Sequence, residues 1–421
     1  MLTLRLAWHS LFRHYRRTII TSIAIAFGLV MLLVVAGINN DGHRKMIDQG
    51  VHLGSGHVVV QGKGYQAEQT LDLVIAAPAS VIAGARRIPG VVETVPRVRA
   101  SGLVAAGSKS SAVIIAGVDP AIEQKVSRIG DAAHRVSGEY LRSRAEMPFA
   151  NMPADIYLGR ELADKLGVVA GDRVVLTVTP RKAERPRSAA FVVRGTFRTG
   201  LDEFDAFYAE IPLDEAQALL GLDGSVSQVA IFLDDVEATG RVTAALRAAL
   251  AGDAEIEILP WQEALRELYE YIVIDDASMY ITMGIIFAMV AIAILNTMLM
   301  SVIERTREFG IMMAIGTSGQ RLFATVLTEA LLLGTLASAV GLGIGLAIHH
   351  KIATTGIDIA ETYGSEVEVS GVVMEGRIYS YLPTETVVTW ALIVVGIAVA
   401  SAVYPAWRAA RLQPIEAMRH V

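Results

Sequence analysis

Few residues in this chain stand in a pattern that could do covalent chemistry. A phosphate-cradling loop needs G-x-x-x-x-G-K followed by Ser or Thr, so that backbone N–H groups hold phosphate and the hydroxyl holds magnesium. Gly54 to Gly62-Lys63-Gly64 comes near, but the spacing is wrong and no Ser or Thr follows the lysine. Neither H-E-x-x-H nor G-x-S-x-G occurs. His349 and His350 are adjacent, and neighbours on a helix point about 100° apart, so the two do not easily face one metal. There is no cysteine, which excludes disulfides, thiolate zinc sites and cysteine nucleophiles. No catalytic centre and no metal site are expected. Glu329 is an ionisable group inside an apolar stretch, and such groups mark functional sites by default. It lies only a turn or two from the end of its stretch, which suits an interface position or a contact within a helix bundle.

What remains is the chemistry of contact. The run Glu304-Arg305-Thr306-Arg307-Glu308-Phe309-Gly310-Ile311-Met312-Met313-Ala314-Ile315-Gly316 is a short amphipathic segment between apolar stretches. The Glu304/Arg307 and Glu304/Glu308 spacings put charges on one helical face, and Phe309, Ile311, Met312 and Met313 supply apolar surface. Such a segment can lie in a membrane interface or dock in a groove on a cytosolic partner. A second candidate is Pro180-Arg181-Lys182-Ala183-Glu184-Arg185-Pro186-Arg187-Ser188, between two strand-like runs. It reads either as a solvated hairpin tip or as a projecting arm that meets another protein.

These segments must be held by elements that cross a membrane. Of the 421 residues, 53% are hydrophobic and only 19% charged, against about 25% charge in an average soluble domain. The net charge of −6 offers no basic surface for nucleic acid. A spanning helix needs roughly 20 apolar residues. Four stretches qualify: Ile19–Ile38, Ala277–Ile303, Leu322–Ile348 and Thr386–Trp407. The first exceeds the roughly 7–15 apolar residues of a signal peptide and is expected to stay as an anchor. Arg5, Arg13, Arg16 and Arg17 precede it without an acid, and the 304–321 connection and the tail from Arg408 also favour Arg over acids. The 349–385 connection has Lys351 and Arg377 against six acids. The positive-inside rule therefore puts residues 1–18, 304–321 and 408–421 in the cytoplasm. Trp407 and Arg408 anchor the last span at the interface, and Gly341, Gly343 and Gly345 offer a small-residue face for helix packing.

Residues 39–276 then lie outside. They alternate strand-like runs (57–61, 112–115, 172–178, 191–196, 207–211, 228–233, 256–259) with helical ones (79–88, 160–166, 213–220, 239–250, 261–271), as an α+β or α/β domain does. The expected architecture is four transmembrane α-helices with a large α+β extracytoplasmic domain inserted between the first two. That domain is read as two lobes, one from both ends of the segment and one an insert at about 101–224. No internal repeat or low-complexity tract is evident.

At E-R-T-R-E-F-G-I-M-M-A-I-G (304–316) and Y-P-A-W-R-A-A-R-L-Q-P-I-E-A-M-R (404–419) the chain resembles ABC-superfamily permeases, in the branch of the lipoprotein-release permeases, the macrolide-exporter permease and FtsX. The layout of one span, a large outer domain and three spans is similar too. The resemblance implies a bacterial inner-membrane protein with both termini cytoplasmic and its large domain periplasmic. It implies a dimer of permeases, as a homodimer or with a paralogue, bound to two copies of a separate ATPase that holds ATP and magnesium. This chain itself would be no enzyme and carry no cofactor. Glu304, Arg305, Arg307, Glu308, Phe309 and Gly310 would match the segment that couples to the ATPase, with Gly310 at a tight turn. The 180–188 loop, with Pro180, Arg181, Lys182, Arg185, Pro186 and Arg187, falls where one lipoprotein-release permease carries a hook for a periplasmic carrier, but it is shorter.

Two functions follow from that resemblance. In the first, ATP-driven mechanotransmission extracts lipoproteins or similar lipidated cargo toward a periplasmic acceptor, through a cleft near Ile38, Asn39, Met279, Ile286 and Met289. In the second, an FtsX-like module transmits ATPase cycling to a periplasmic hydrolase or sensor and moves no cargo.

Overall fold

The structure, a computed structural model, describes residues 15–147, 149, 152–181, 185–358, 367–369, 372–374 and 377–413. The described residues fall into two compact units, one drawn from the ranges 1–44, 272–364 and 376–421, the other from 45–271 and 365–375.

Among the described residues, four helices are long and apolar enough to cross a membrane. They are Tyr15–Gly50 (TM1), Arg266–Glu304 (TM2), Gly319–Thr355 (TM3) and Thr384–Ala410 (TM4). Each runs past the uncharged stretch that identifies it, because a helix goes on satisfying its own backbone groups beyond hydrocarbon. Within the membrane unit the core is Ile25, Leu29, Leu32 and Leu33 of TM1, Met283, Val290 and Ile294 of TM2, Ala330, Leu333 and Ala337 of TM3, and Val394, Ala398 and Ala402 of TM4. Their spacing of three and four residues makes one stripe per helix. The opposite face of TM1 is equally apolar: Ile20 is 67% and Phe27 64% exposed, a surface that hydrocarbon or another apolar chain must cover. Small residues set the helix approach. A Cβ on Gly341 would stand 2.9 Å from the Ala26 carbonyl oxygen, and one on Gly345 2.8 Å from Leu33 Cδ1. On the other side of TM3 a Cβ on Gly334 would lie 2.7 Å from Ala398 Cβ. Gly343 faces open space, so the glycine face holds at two of its three positions.

Among the described residues, the second unit is built on a ten-stranded sheet. Its strands are β1 (Val58–Gly62), β2 (Val91–Ala106), β3 (Lys109–Val118), β4 (Arg135–Gly138), β5 (Ala154–Gly159), β6 (Arg173–Val178), β7 (Arg187–Phe197), β8 (Tyr208–Pro212), β9 (Gln228–Leu233) and β10 (Ile256–Pro260). Their order is β10-β1-β9-β2-β3-β8-β5-β7-β4, with β6 pairing β2 and β7. Val229-Ala230-Ile231-Phe232-Leu233 reads as a continuous apolar run because β9 is buried on both faces between β1 and β2. The long strand β2 belongs to two pairings. Val91–Arg97 pairs β9, and Val98–Ala106 pairs β3. Helices Pro78–Ala85 and Thr239–Ala249 pack beside the first part, Arg160–Leu166 and Leu213–Leu220 beside the second.

β2 is not evident in the sequence, because Pro96 and Gly102 interrupt its pattern. Pro96 sits in the β9 register opposite Val229. The glycine has a positional reason. Gly102 allows β6 to come close, since a Cβ there would stand 2.8 Å from the Thr177 carbonyl oxygen.

Where β2 changes partner, a polar core replaces an apolar one. Arg97 and Glu123, each 1% exposed, form a bidentate ion pair. Arg97 also donates to the carbonyl of Gly54, which accepts from Gln228 Nε2 at 3.2 Å as well. Gly54 has φ +150°, a conformation that excludes other residues. Tyr140 donates its hydroxyl to Glu210 Oε2 at 2.7 Å. Burial, and the Glu123 charge after it, raises the Glu210 carboxyl to about 8, so Glu210 is largely protonated at neutral pH.

Candidate functional site

TM2 ends at Glu304, and Arg305, at φ −102° and ψ 10°, breaks the helix before Thr306–Ala314 resumes it. The resumed helix ends in a left-handed turn at Gly316, φ +102°, which lets Thr317 N–H return to the Met312 carbonyl. The amphipathic reading of 304–316 therefore becomes a short helix between two breaks. Its sides are not those that the charge pattern suggests.

Arg305 turns inward. Its Nη1 donates to Glu329 Oε2 at 3.0 Å, its Nε lies 3.4 Å from Glu308 Oε2, and its guanidinium stands 4.8 Å from the Phe309 ring centre. Glu329 is the bundle contact its position in TM3 allows, a buried carboxylate whose partner is Arg305. Glu304 pairs with Arg17 of TM1. Phe309 and Gly310 are buried, Phe309 against Val302, Leu322, Val326, Ala406 and Ala409. Gly310 is helical, and the turn falls at Gly316. The outward face carries Arg307, Ile311, Ala314 and Ile315. Ile311 is 48% and Ile315 79% exposed. Spacings of four, three and one place these residues on one helical stripe. Ile315 is not prominent in the sequence, although its period with Ile311 could have identified it. Of the six coupling candidates, Arg307 stands exposed on the outward stripe. Glu304, Arg305 and Glu308 are engaged in pairs.

Three of the five cleft candidates lie together. A cavity of about 200 Å³ is lined by Asn39, Met279 and Ile286 together with Met31, Val35 and Met283. Asn39 Nδ2 reaches Met279 Sδ at 3.5 Å. Ile38 and Met289 are not part of its lining. Ile38 is half-buried, and Met289 is 58% exposed. The adjacent histidines do not act together: His349 Nδ1 hydrogen-bonds Ser380 Oγ at 2.7 Å, whereas His350 takes no part in that bond.

The 180–188 loop is the tip of the β6–β7 hairpin, whose last register pair is Val178 with Arg187. Pro180 is buried, and Arg181 folds back, with its amide on the Leu220 carbonyl and its Nε 3.6 Å from Asp72. Arg185, Pro186 and Arg187 are exposed. Lys182 lies outside the described residues. Pro180 and Arg181 are thus anchored, and Arg185, Pro186 and Arg187 stand exposed.

A family model for the MacB-like periplasmic core domain matches residues 18–249, and one for the FtsX-like permease C-terminal matches 280–414. Among curated proteins, the lipoprotein-releasing system transmembrane protein LolC of Xylella fastidiosa is 24% identical over 94% of this chain and 92% of its own. LolE of Haemophilus influenzae is 26% identical over 94% and 93%. The uncharacterized ABC transporter permease YknZ of Bacillus subtilis is 24% identical over 99% and 98%.

Proposed function

The chain belongs to the family of ABC transporter permeases that join a MacB-like periplasmic core domain to an FtsX-like membrane domain, and from that premise we propose that it extracts lipoproteins or other lipidated cargo from a bacterial inner membrane. The observation that carries the reading is the likeness to LolC and LolE along nearly the whole chain. In the proposed arrangement both termini and the 304–321 segment are cytoplasmic, and the sheet domain is periplasmic. Two permease protomers bind two copies of a separate ATPase.

Extraction is costly, since each acyl methylene leaving the bilayer loses about 0.8 kcal/mol. ATP binding must therefore favour one arrangement of the spans, and cargo must bind the two arrangements unequally. The stripe Arg307, Ile311 and Ile315 suits the docking role: an apolar centre with a cation at its edge, on a helix braced to TM3 through Arg305 and Glu329. The cavity at Asn39, Met279 and Ile286 offers apolar and weakly polar groups to the head of a lipid-anchored chain. Arg185, Pro186 and Arg187, exposed at the end of the hairpin, suit contact with a carrier.

The test is purification of the tagged protein from its own membranes in mild detergent, with identification of everything bound. A separate ATPase together with lipoproteins or a carrier is expected. An ATPase with a cell-wall hydrolase and no lipidated protein would replace extraction with the regulatory reading. Recovery without an ATPase would overturn the coupling role.

A further inference from the structure

Arg99 lies two residues beyond Arg97 on β2, and its surroundings differ from its neighbour's. Its backbone is held on both sides: the amide donates to Ser227 Oγ at 2.8 Å, and the carbonyl accepts from the Tyr65 hydroxyl at 3.3 Å. Its guanidinium lies against the bare α-carbon of Gly54, where a Cβ would stand 2.6 Å from Nη2. Yet Nε is buried without a hydrogen-bond partner. Among the described residues no carboxylate comes within ion-pair distance of this side chain. The nearby charges do not compensate it. Arg97 and Glu123 neutralise each other, and Glu210 holds its proton up to about 8. One positive charge is left over, half-buried, on the wall of a cavity of about 530 Å³.

The same cavity presents Ser55, Gln61, Tyr65 and Gln228 together with Phe204 and Tyr208. A second hollow of about 670 Å³ shares Ser101, Ile114, Phe204 and Tyr208 with it and adds Ala112, Val113 and Phe207. Both volumes fall in the roughly 300–1,000 Å³ range of small-molecule sites. A planar guanidinium with unused donors matches a carboxylate or phosphate. An apolar trough adjoining it matches a hydrocarbon tail. Glu203 and Glu267 also line these hollows, but both are exposed, where water screens them from a buried site.

We propose that the Arg99 cavity and its adjoining trough bind a single-chain anionic amphiphile, its carboxylate or phosphate head on Arg99 and its tail along Ile114, Phe204 and Phe207. The site lies wholly within the sheet domain and does not depend on the cargo or coupling assignments above.

The test uses the full chain in phosphatidylcholine nanodiscs. The probes are laurate and a lysophosphatidate, each carrying a diazirine on the tail, with inorganic phosphate and acetate as headgroup controls. Both amphiphiles, or one of them, should label peptides containing Ile114 or Phe204–Phe207; which one labels identifies the head. Arg99→Gln should weaken labelling about tenfold or more, as loss of a charge-assisted pair does. Ala112→Trp, on an exposed position of β3, should block the tail without disturbing the core and leave labelling near background. Thermal melts of both variants establish that they fold. Labelling elsewhere only, or labelling equal in wild type and Arg99→Gln, would overturn the site. So would inorganic phosphate binding that Ala112→Trp leaves unchanged while neither amphiphile binds, since that describes an ion site alone.

Discussion

At the scale of single residues, the buried charges decide most. Arg305→Ala would remove the guanidinium that Glu329 Oε2 meets at 3.0 Å, a loss of about 3–5 kcal/mol for a broken buried pair. The double variant Arg305→Met with Glu329→Leu should recover most of that loss, because apolar replacement of a whole buried pair is often neutral or better. Thermal unfolding in detergent compares the three proteins. Glu210 predicts a pH dependence whose sign is set by its raised value. An unfolded chain releases this proton near 4.5, the folded chain near 8. Between those values the unfolded state binds fewer protons, so Glu210 makes stability fall as pH rises through the window. His57, lowered to about 4 by burial, acts in the opposite sense between 4 and 6.5. The difference between wild type and Glu210→Gln isolates the first effect: the gap in melting temperature should shift steadily in favour of the Gln variant from pH 5 to pH 8.5. A constant gap would mean that Glu210 titrates normally.

At the scale of elements, the Thr306–Ala314 helix makes a prediction that separates docking from folding. Ile315→Asp and Arg307→Glu alter the exposed stripe and should abolish co-purification of an ATPase while membrane levels stay unchanged. Phe309→Ala removes a buried ring and should cost about 3–5 kcal/mol of stability, with docking affected only through folding. TM3 offers a second case. Gly345→Leu drives a side chain into Leu33 and should destabilise the bundle by about 1–3 kcal/mol, whereas Gly343→Leu meets open space and should be tolerated; melting temperatures of the two variants provide the comparison.

The same elements show what a sequence makes legible. The spans are readable because a bilayer imposes length and apolarity together. The 304–316 helix is readable as amphipathic, but which side faces out is not. Arg305 looks like surface until Glu329, from a different helix, is brought within 3.0 Å of it. β2 is hidden because Pro96 and Gly102 break its pattern, and the glycine answers to Thr177, far away in the chain. Gly54 looks like a fragment of a phosphate loop, and its actual work, accepting from Arg97 and Gln228, depends on strands far away in the chain. Arg99 is equally unreadable, since a lone arginine on a strand gives no sign that its counter-charge is missing.

At the scale of the molecule, the chain's lack of cysteine makes the proposed topology directly measurable. Single cysteines at Ser188 and Ser318 can be probed with a membrane-impermeant maleimide. Ser188→Cys should react in cells whose outer envelope is permeabilised, and Ser318→Cys only after the inner membrane is opened. The reverse pattern would invert the orientation and with it the docking role of Ile311 and Ile315.

The shared strand β2 has a mechanical consequence. Its first half is stitched to β9 and its second to β3 and β6, so the two parts of the sheet domain are one continuous fabric. Folding them against each other like the covers of a book would tear backbone hydrogen bonds around residues 97–98. Whatever displacement reaches this domain is therefore carried through it as through a plank, arriving at the β6–β7 tip with its direction kept.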